Sequence, residues 1–182
     1  MNMLLSSVFL LVALSLAAPA VALQVNETAP PISLRDSNND FFYLSNYVNA
    51  PQPPLKIRGG KGELDKVKGI IVNFFSSTCK PCKNELPVLN SLVDEFEKKS
   101  IKVVIIGYKE NFDKFIDMLD ELKVDKPIIL ADPYGKAGEK YGVYGLPLTV
   151  FIGADGKVKD IIKGELPNIG KVLREKAKKL LK

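Results

Sequence analysis

Residues 69–89, GIIVNFFSSTCKPCKNELPVL, contain the pattern on which the fold prediction depends. The run GIIVNFF at 69–75 is almost entirely apolar, which is typical of a strand buried on both faces of a sheet. Residues 81–99 then follow a helical pattern, with apolar side chains at Val88, Leu89, Leu92, Val93 and Phe96. The motif Cys79-Lys80-Pro81-Cys82 therefore lies where a buried strand gives way to a helix.

Strands and helices alternate along the rest of the chain. Upstream, turn-forming residues at 37–40 precede a strand at 41–44, which predicts an N-terminal β-hairpin extension. Downstream, we expect strands at 101–107, 127–130, 148–153 and 157–163, and helices at 112–122, 133–141 and 167–181. Ala154-Asp155-Gly156 predicts a hairpin between the last two strands. The whole pattern predicts an α/β fold, with a central mixed β-sheet flanked by helices.

The position of the two cysteines predicts redox chemistry. Unpaired backbone N–H groups and the helix dipole stabilise a thiolate at a helix start, and the thiolate is the nucleophile in disulfide exchange. Lys80 adds positive charge, and Pro81 suits the first helical turn because its missing N–H is not needed there. Two intervening residues bring both sulfurs within bonding reach. We therefore expect Cys79 to be the exposed attacking thiolate and Cys82 the deeper thiol that resolves the mixed disulfide.

Composition excludes several other kinds of site. The chain has no histidine and only two cysteines, so Ser-His-Asp catalysis, Cys-His catalysis, the common zinc sites and a four-thiolate site within one chain are ruled out. We expect no metal, and no cofactor beyond a redox-active Cys79–Cys82 disulfide. The net charge of +5 is modest and no basic block stands apart, so nucleic-acid binding is not expected.

Three alternatives to dithiol exchange stay open for the cysteine pair. It could form half of an intermolecular metal site, a static structural disulfide, or a peroxide-reducing centre. A four-residue loop constrains the unfolded chain little, which disfavours the structural role. Residues 72–78 contain neither the Pro nor the Arg usual near a peroxide-reducing cysteine. Dithiol exchange is therefore the favoured interpretation.

The N-terminal residues indicate export. Residues 1–22 are almost wholly apolar and end in the small-x-small sequence Ala20-Val21-Ala22, which predicts a signal peptide cleaved before Leu23. An uncleaved membrane anchor is the alternative, and only then would the protein contact a membrane through this segment. Either interpretation predicts one domain at 23–182, outside the cytoplasm. Within it, the Pro/Gly-rich residues 49–62 predict a surface loop.

Together these motifs resemble the TlpA/ResA-like thiol-disulfide oxidoreductases, a branch of the thioredoxin superfamily with an AhpC/TSA–Redoxin-type domain. The resemblance rests on the block at 71–89, on Pro87 five residues after Cys82, and on Gly145-Leu146-Pro147 before the strand LTVFIG. VNETAPPISL at 25–34 and ADGKV at 154–158 also resemble motifs of that branch. The resemblance implies a thioredoxin-like fold.

The resemblance also implies roles for particular residues. Pro147 would be cis and would lie beside the cysteines, and Leu146 would offer backbone hydrogen bonds to an extended substrate segment. Glu85 would exchange a proton with the Cys82 thiol; a first-turn carboxylate that favours the helix dipole is the alternative.

Several positions depart from the usual pattern, among them Leu146 and Leu148, which flank Pro147 where a threonine is usual, and the pair Phe75-Ser76. Asn73 stands where cytoplasmic thioredoxins carry a buried acid, which implies that it tunes the redox pair and leaves proton handling to Glu85; a buried amide satisfied by backbone groups is the alternative. Thr78 replaces the usual tryptophan before the first cysteine and would make the partner-binding surface more polar.

The function implied is reduction of protein disulfides. In the branch that the chain resembles, such proteins receive electrons from a membrane thiol-electron transporter, and their substrates are often the cysteines of apocytochrome c during cytochrome c maturation. A non-catalytic extracytoplasmic binding domain with a structural disulfide is the alternative from another functional class.

Overall fold

The computed structural model describes residues 23–49 and 67–182. The strands are β1 (Ser33–Asp36), β2 (Phe41–Tyr43), β3 (Gly69–Phe75), β4 (Ile101–Tyr108), β5 (Ile128–Asp132), β6 (Leu148–Gly153) and β7 (Val158–Lys163). The helices are α1 (Lys80–Glu97), α2 (Phe112–Glu121), α3 (Lys136–Tyr141) and α4 (Ile169–Ala177). Short 3-10 helices follow β2 at Leu44–Asn46 and α4 at Lys178–Leu181.

The seven strands found in these two ranges form one mixed sheet, in the order β2-β1-β5-β4-β3-β6-β7. β3, β4 and β5 run parallel, whereas β6 is antiparallel to β3 and β7 is antiparallel to β6. The β1–β2 hairpin extends the sheet beyond β5. The mixed sheet and the N-terminal hairpin extension predicted from the sequence are thus confirmed.

Strand β3 lies at the centre of the molecule because its side chains alternate between two hydrophobic cores. Ile71 and Phe75 belong to one core, the α1-side core, which also contains apolar residues of α1, α2 and α4. Ile70, Val72 and Phe74 belong to a second core, on the side of α3 and the N-terminal residues. Every residue of β3 is buried, which explains its continuous apolar sequence.

Some element bounds differ from the prediction. The strand expected at 127–130 is Ile128–Asp132, and Leu44 begins a 3-10 helix instead of ending β2. The helix expected from residue 133 begins only at Lys136, because Gly135 has a left-handed conformation with φ of 69°. Asn168, with φ of 55°, likewise delays the start of α4 to Ile169. The helix expected to run to residue 181 ends at Ala177 and continues as a 3-10 helix at Lys178–Leu181. The remaining bounds agree to within about two residues.

Two predicted segments fall outside the described ranges. They are the export segment at 1–22 and residues 50–62 of the Pro/Gly-rich loop. Where the described chain borders that loop, the backbone N–H of Asn49 donates a hydrogen bond of 2.8 Å to the carbonyl of Ala154. Among the helices of 23–49 and 67–182, none combines the length and apolarity needed to cross a membrane.

The topology brings three loops together at the carboxyl end of β3. Phe75, the last residue of β3, pairs with Gly107 near the end of β4, and Phe74 pairs with Leu148 at the start of β6. The cysteine motif follows β3, and Pro147 directly precedes β6. The motif, the loop after β4 and the Pro147 loop are therefore neighbours.

We expect Gly107→Ala to lower the free energy of unfolding by about 1–3 kcal/mol, because an added methyl group overpacks this core. A Cβ atom at Gly107 would lie 2.2 Å from Cε1 of Phe115 on α2. That ring also packs edge-on against Phe75, with centroids 5.2 Å apart, so it has little room to move. Urea denaturation measures the loss.

Gly145→Ala is the matched control, since a Cβ atom there meets no other atom within 4 Å. Its effect on the free energy of unfolding should stay within about 0.5 kcal/mol. Equal losses in the two variants would contradict the packing argument.

Candidate active site

Cys79 and Cys82 are joined in a disulfide at the start of α1. Cys79 is the N-cap residue, and its sulfur accepts a hydrogen bond of 3.2 Å from the backbone N–H of Cys82. Pro81 occupies the first turn, as predicted. The sulfur of Cys79 thus lies against one of the backbone N–H groups that a helix start leaves unpaired.

The two cysteines differ in exposure. Cys82 is wholly buried in the α1-side core, whereas Cys79 is only partly buried and packs at the margin of that core. Thr78 and Lys80, on either side of Cys79, are exposed. The exposed surface around the disulfide is therefore formed by Thr78, Cys79 and Lys80, with Cys82 beneath.

Below the disulfide, the sheet carries a buried polar cluster of Asn73, Thr149 and Glu85. Asn73 lies between Ile71 and Phe75 on the face of β3 that α1 covers, and it pairs with Thr149 of β6. The Asn73 amide nitrogen donates to Glu85 Oε1 and to Thr149 Oγ1, both at 2.9 Å. Thr149 Oγ1 donates to Glu85 Oε1 at 3.0 Å.

Glu85 is therefore a buried carboxyl group in the second turn of α1, one turn beyond Cys82. Only 3% of the residue is exposed. Burial is the largest influence and raises its pKa above the usual 4.5; nearby Glu165 also raises it, while the hydrogen bonds from Thr149 and Asn73 lower it. The alternative interpretation as a first-turn carboxylate is wrong, because no acidic residue occupies the first turn of α1.

The alternative interpretation of Asn73, an amide satisfied by backbone groups, is also wrong. Its amide nitrogen bonds to two side chains, and its carbonyl oxygen Oδ1 has no hydrogen-bond partner among the described residues. The reason is geometric. The backbone of β3 is engaged with β4 and β6, so the side chain is turned toward α1 and meets only the side chains there.

The sequence analysis missed Thr149. Two residues after Pro147, it lies on the same face of β6 as the residues that contact α1, because alternate strand residues share a face. The signal was the predicted antiparallel strand after Pro147, but the register that sets Thr149 opposite Asn73 could not be read from the sequence.

The peptide bond between Leu146 and Pro147 is cis, as the resemblance implies. The carbonyl of Pro147 accepts a hydrogen bond of 2.8 Å from the N–H of Gly164. Leu146 is partly buried and packs against the same core as Cys79. Its N–H and carbonyl form no hydrogen bond with any residue of 23–49 or 67–182. Tyr144, two residues earlier, is 75% exposed.

Two further acidic residues beside the site were not predicted. Glu110, after β4, binds Ser77 through both carboxylate oxygens: Ser77 N–H donates at 2.8 Å and Ser77 Oγ at 2.7 Å. Glu165, after β7, accepts a hydrogen bond of 3.0 Å from Asn84 of α1. Both contacts join residues more than 30 positions apart in the chain, so no local sequence pattern indicates them.

The family resemblance is borne out by comparison with known proteins. Residues 25–161 match the AhpC/TSA family. The thiol:disulfide interchange protein CycY of Rhizobium leguminosarum bv. viciae is 40% identical over 109 residues, covering 60% of this chain and 54% of CycY. The thiol-disulfide oxidoreductase ResA of Geobacillus thermodenitrificans is 30% identical over 148 residues, covering 80% of this chain and 72% of that protein. The chain thus spans about half the length of CycY.

A solved structure shows the same fold. A protein named as a thiol:disulfide interchange protein, DsbE, from Chlorobium tepidum superposes with a TM-score of 0.72 at 20% identity, covering 88% of this chain and all of that one. This likeness confirms the predicted thioredoxin-like fold. Because the family match covers more than half of the sequence, the chain belongs to the AhpC/TSA family.

Proposed function

We propose that this protein is an exported thiol-disulfide oxidoreductase that reduces protein disulfides through Cys79 and Cys82. The observation that carries the proposal is the position of the disulfide at the N-terminus of α1, with the N–H of Cys82 donating to the Cys79 sulfur. A helix start favours negative charge at that sulfur, and the thiolate is the reactive form in disulfide exchange. The names of CycY and ResA point to the same reaction class.

The reaction begins from the reduced pair. The Cys79 thiolate attacks one sulfur of a substrate disulfide, forming a mixed disulfide and releasing the other substrate sulfur as a thiolate. Cys82 then loses its proton and attacks Cys79, which forms the Cys79–Cys82 disulfide and releases the second substrate thiol. Two electrons pass from the pair to the substrate. The burial of Cys82 directly below Cys79 suits this order, because only Cys79 meets the partner's surface.

Glu85 is the proton acceptor that we assign to the second step. Cys82 must lose its proton inside a buried core, and Glu85 lies one turn along the same helix. Its raised pKa brings its proton affinity closer to that of a thiol, which makes proton transfer between them less uphill. Thr149 and Asn73 fix the orientation of the carboxyl group through Oε1.

The partner would bind along the loop before β6. The backbone groups of Leu146, which are unpaired within the described chain, can add an extended substrate segment in the manner of an extra strand. The exposed ring of Tyr144 and the hydroxyl group of Thr78 flank that path. Lys80, beside Cys79, would contribute positive charge near the thiolate.

The cellular setting is proposed from the sequence of residues 1–22 and from the relatives. The apolar segment with its small-x-small end supports export to the outer side of the membrane, as a cleaved signal or as an anchor. A reductase in an oxidising compartment needs a supply of electrons, which a membrane thiol-electron transporter would provide. Apocytochrome c cysteines are the substrate that we propose, in cytochrome c maturation.

We expect Cys79→Ser to reduce insulin-disulfide reduction to the uncatalysed background, because the nucleophile is removed. Cys82→Ala should keep the nucleophile but lose the resolving thiol, so it should accumulate a mixed disulfide with its substrate. Mass spectrometry of the trapped adduct identifies both the attacking residue and the partner.

Lys83→Ala is the matched control, since this exposed residue of α1 takes no part in the proposed reaction. It should leave the rate of insulin reduction essentially unchanged. Activity retained by Cys79→Ser, or no adduct with Cys82→Ala, would favour the alternative of a binding domain with a structural disulfide.

The stability of the oxidised protein should respond to pH through Glu85. A carboxyl group whose pKa is raised in the folded state binds more protons folded than unfolded, so its contribution to stability is fully present below pH 4.5 and is lost as pH rises through the folded-state pKa. Glu85→Gln removes this ionisation and keeps an acceptor oxygen for Asn73 and Thr149. The free energy of unfolding of Glu85→Gln relative to wild type should therefore increase as pH rises above 4.5.

Urea denaturation at a series of pH values measures this difference. Glu121→Gln, on the exposed side of α2, is the control and should follow the wild-type pH profile. Parallel pH profiles of the free energy of unfolding for wild type and Glu85→Gln would show that burial does not raise the pKa of the Glu85 carboxyl group.

A further inference from the structure

The buried polar cluster contains one acceptor without a donor. Asn73 is 1% exposed, and its Oδ1 has no hydrogen-bond partner within residues 23–49 and 67–182. A buried carbonyl oxygen that gives up water without gaining a donor is destabilising, and most such groups in folded proteins are paired. Within the described part of the oxidised chain, Asn73 Oδ1 is therefore an unsatisfied acceptor in the core that contains Cys82.

Cys82 is a candidate donor because it belongs to the core on the same side of β3 as the Asn73 side chain. Asn73 lies between Ile71 and Phe75 on the α1-side face of β3, and both of those residues belong to the core that contains Cys82. The Asn73 amide nitrogen is already 2.9 Å from Glu85 Oε1. Glu85 and Cys82 are three residues apart and therefore lie on the same face of α1.

The other donors of the cluster are already engaged. The Asn73 amide nitrogen donates to Glu85 and Thr149, and the Thr149 hydroxyl donates to Glu85. While Cys82 is bonded to Cys79, its sulfur carries no proton. Reduction of the disulfide adds a donor to this buried region, because the Cys82 sulfur can then carry a proton.

Reduction of the Cys79–Cys82 disulfide changes the number of donors available to Asn73 Oδ1. A dithiol donor becomes a disulfide and releases two electrons and two protons, the bond between Cys79 and Cys82 breaks, and each of the two sulfurs gains one electron. Cys79, at the helix start, can remain a thiolate, whereas the buried Cys82 sulfur takes a proton because burial disfavours its charged form.

We propose that the Cys82 thiol of the reduced protein donates a hydrogen bond to Asn73 Oδ1. The reduced state then satisfies the acceptor that the oxidised state leaves unpaired, so Asn73 shifts the equilibrium toward the dithiol. This role deepens the proposed oxidoreductase function and rests on it, since it matters only if the disulfide is reduced in use. Asn73 would shift the equilibrium between the dithiol and the disulfide and would not be a catalytic residue.

The hydrogen bond can be observed without any redox reaction. The chain contains only two cysteines, so Cys79→Ser leaves the Cys82 thiol as the sole S–H group in the protein. Its infrared S–H stretching band moves to lower frequency when the thiol donates a hydrogen bond. We expect the band of Cys79→Ser at lower frequency than that of Cys79→Ser with Asn73→Leu.

Thr149→Val in the same background is the matched control. It removes the other neighbour of Glu85 Oε1 but keeps Asn73 Oδ1, so the S–H band should stay at low frequency. Asn73→Val, with a β-branched side chain suited to a strand, replaces Asn73→Leu should that variant fail to fold. An S–H band at the same position with and without Asn73, or one that moves equally with Thr149→Val, would overturn the proposal.

The equilibrium gives a second readout. With the full pair present, Asn73→Leu should shift the equilibrium constant with a glutathione redox buffer about three- to tenfold toward the disulfide, the size of one lost hydrogen bond. Tenfold corresponds to about 30 mV for this two-electron couple. Thr149→Val should shift this equilibrium constant less than Asn73→Leu does. A shift of equal size with Thr149→Val, or a shift toward the dithiol with Asn73→Leu, would contradict the proposal.

The two readouts separate this proposal from the proposed function. If the S–H band responds to Asn73 but the protein reduces no disulfide, the hydrogen bond stands and the oxidoreductase function fails. If insulin is reduced but the band does not respond, the function stands and the role of Asn73 is wrong.

Discussion

The contact between the start of α1 and the sulfur of Cys79 is the constraint on which the rest of the site depends. A helix that begins at residue 80 must leave backbone N–H groups unpaired, and here one of them points at sulfur at 3.2 Å. That geometry requires the helix to start immediately after a strand that is fixed in place. β3 meets this requirement because it is buried on both faces between two cores. A strand buried on both faces thus fixes the position of the loop and helix start that carry Cys79.

The same strand also supplies Asn73, the amide of the buried polar cluster. A buried carboxyl group, an amide and a hydroxyl group come from a helix and two strands, and their hydrogen bonds link all three groups, with Glu85 Oε1 accepting two of them. In a core of low polarity such contacts hold their geometry strongly, because each unmade bond would cost the desolvation of its group. The cluster can therefore hold the Glu85 carboxyl group in one orientation without help from the surface.

The features of the fold and the site that could be predicted are those encoded within a short stretch of sequence. The burial of β3, the helix after it and the redox pair are encoded within residues 69–99, and Pro147 with its cis bond follows a recognisable family motif. Glu85 was identified through the family resemblance, by its position three residues after Cys82. Thr149 was missed because its pairing with Asn73 depends on a register between strands 76 residues apart. Glu110 was missed for the same reason, and α3 and α4 begin later than expected because Gly135 and Asn168 take left-handed conformations.

The contact between Glu110 and Ser77 has a consequence for how such sequences can vary. Both oxygens of the carboxylate are used by one residue, its backbone N–H and its hydroxyl group, so the loop before Cys79 and the loop after β4 are held as a pair. A change at position 110 leaves two donors of the other loop without this partner, and a change at 77 takes the hydroxyl donor from one carboxylate oxygen. The two positions are therefore expected to covary among homologues, although they are 33 residues apart.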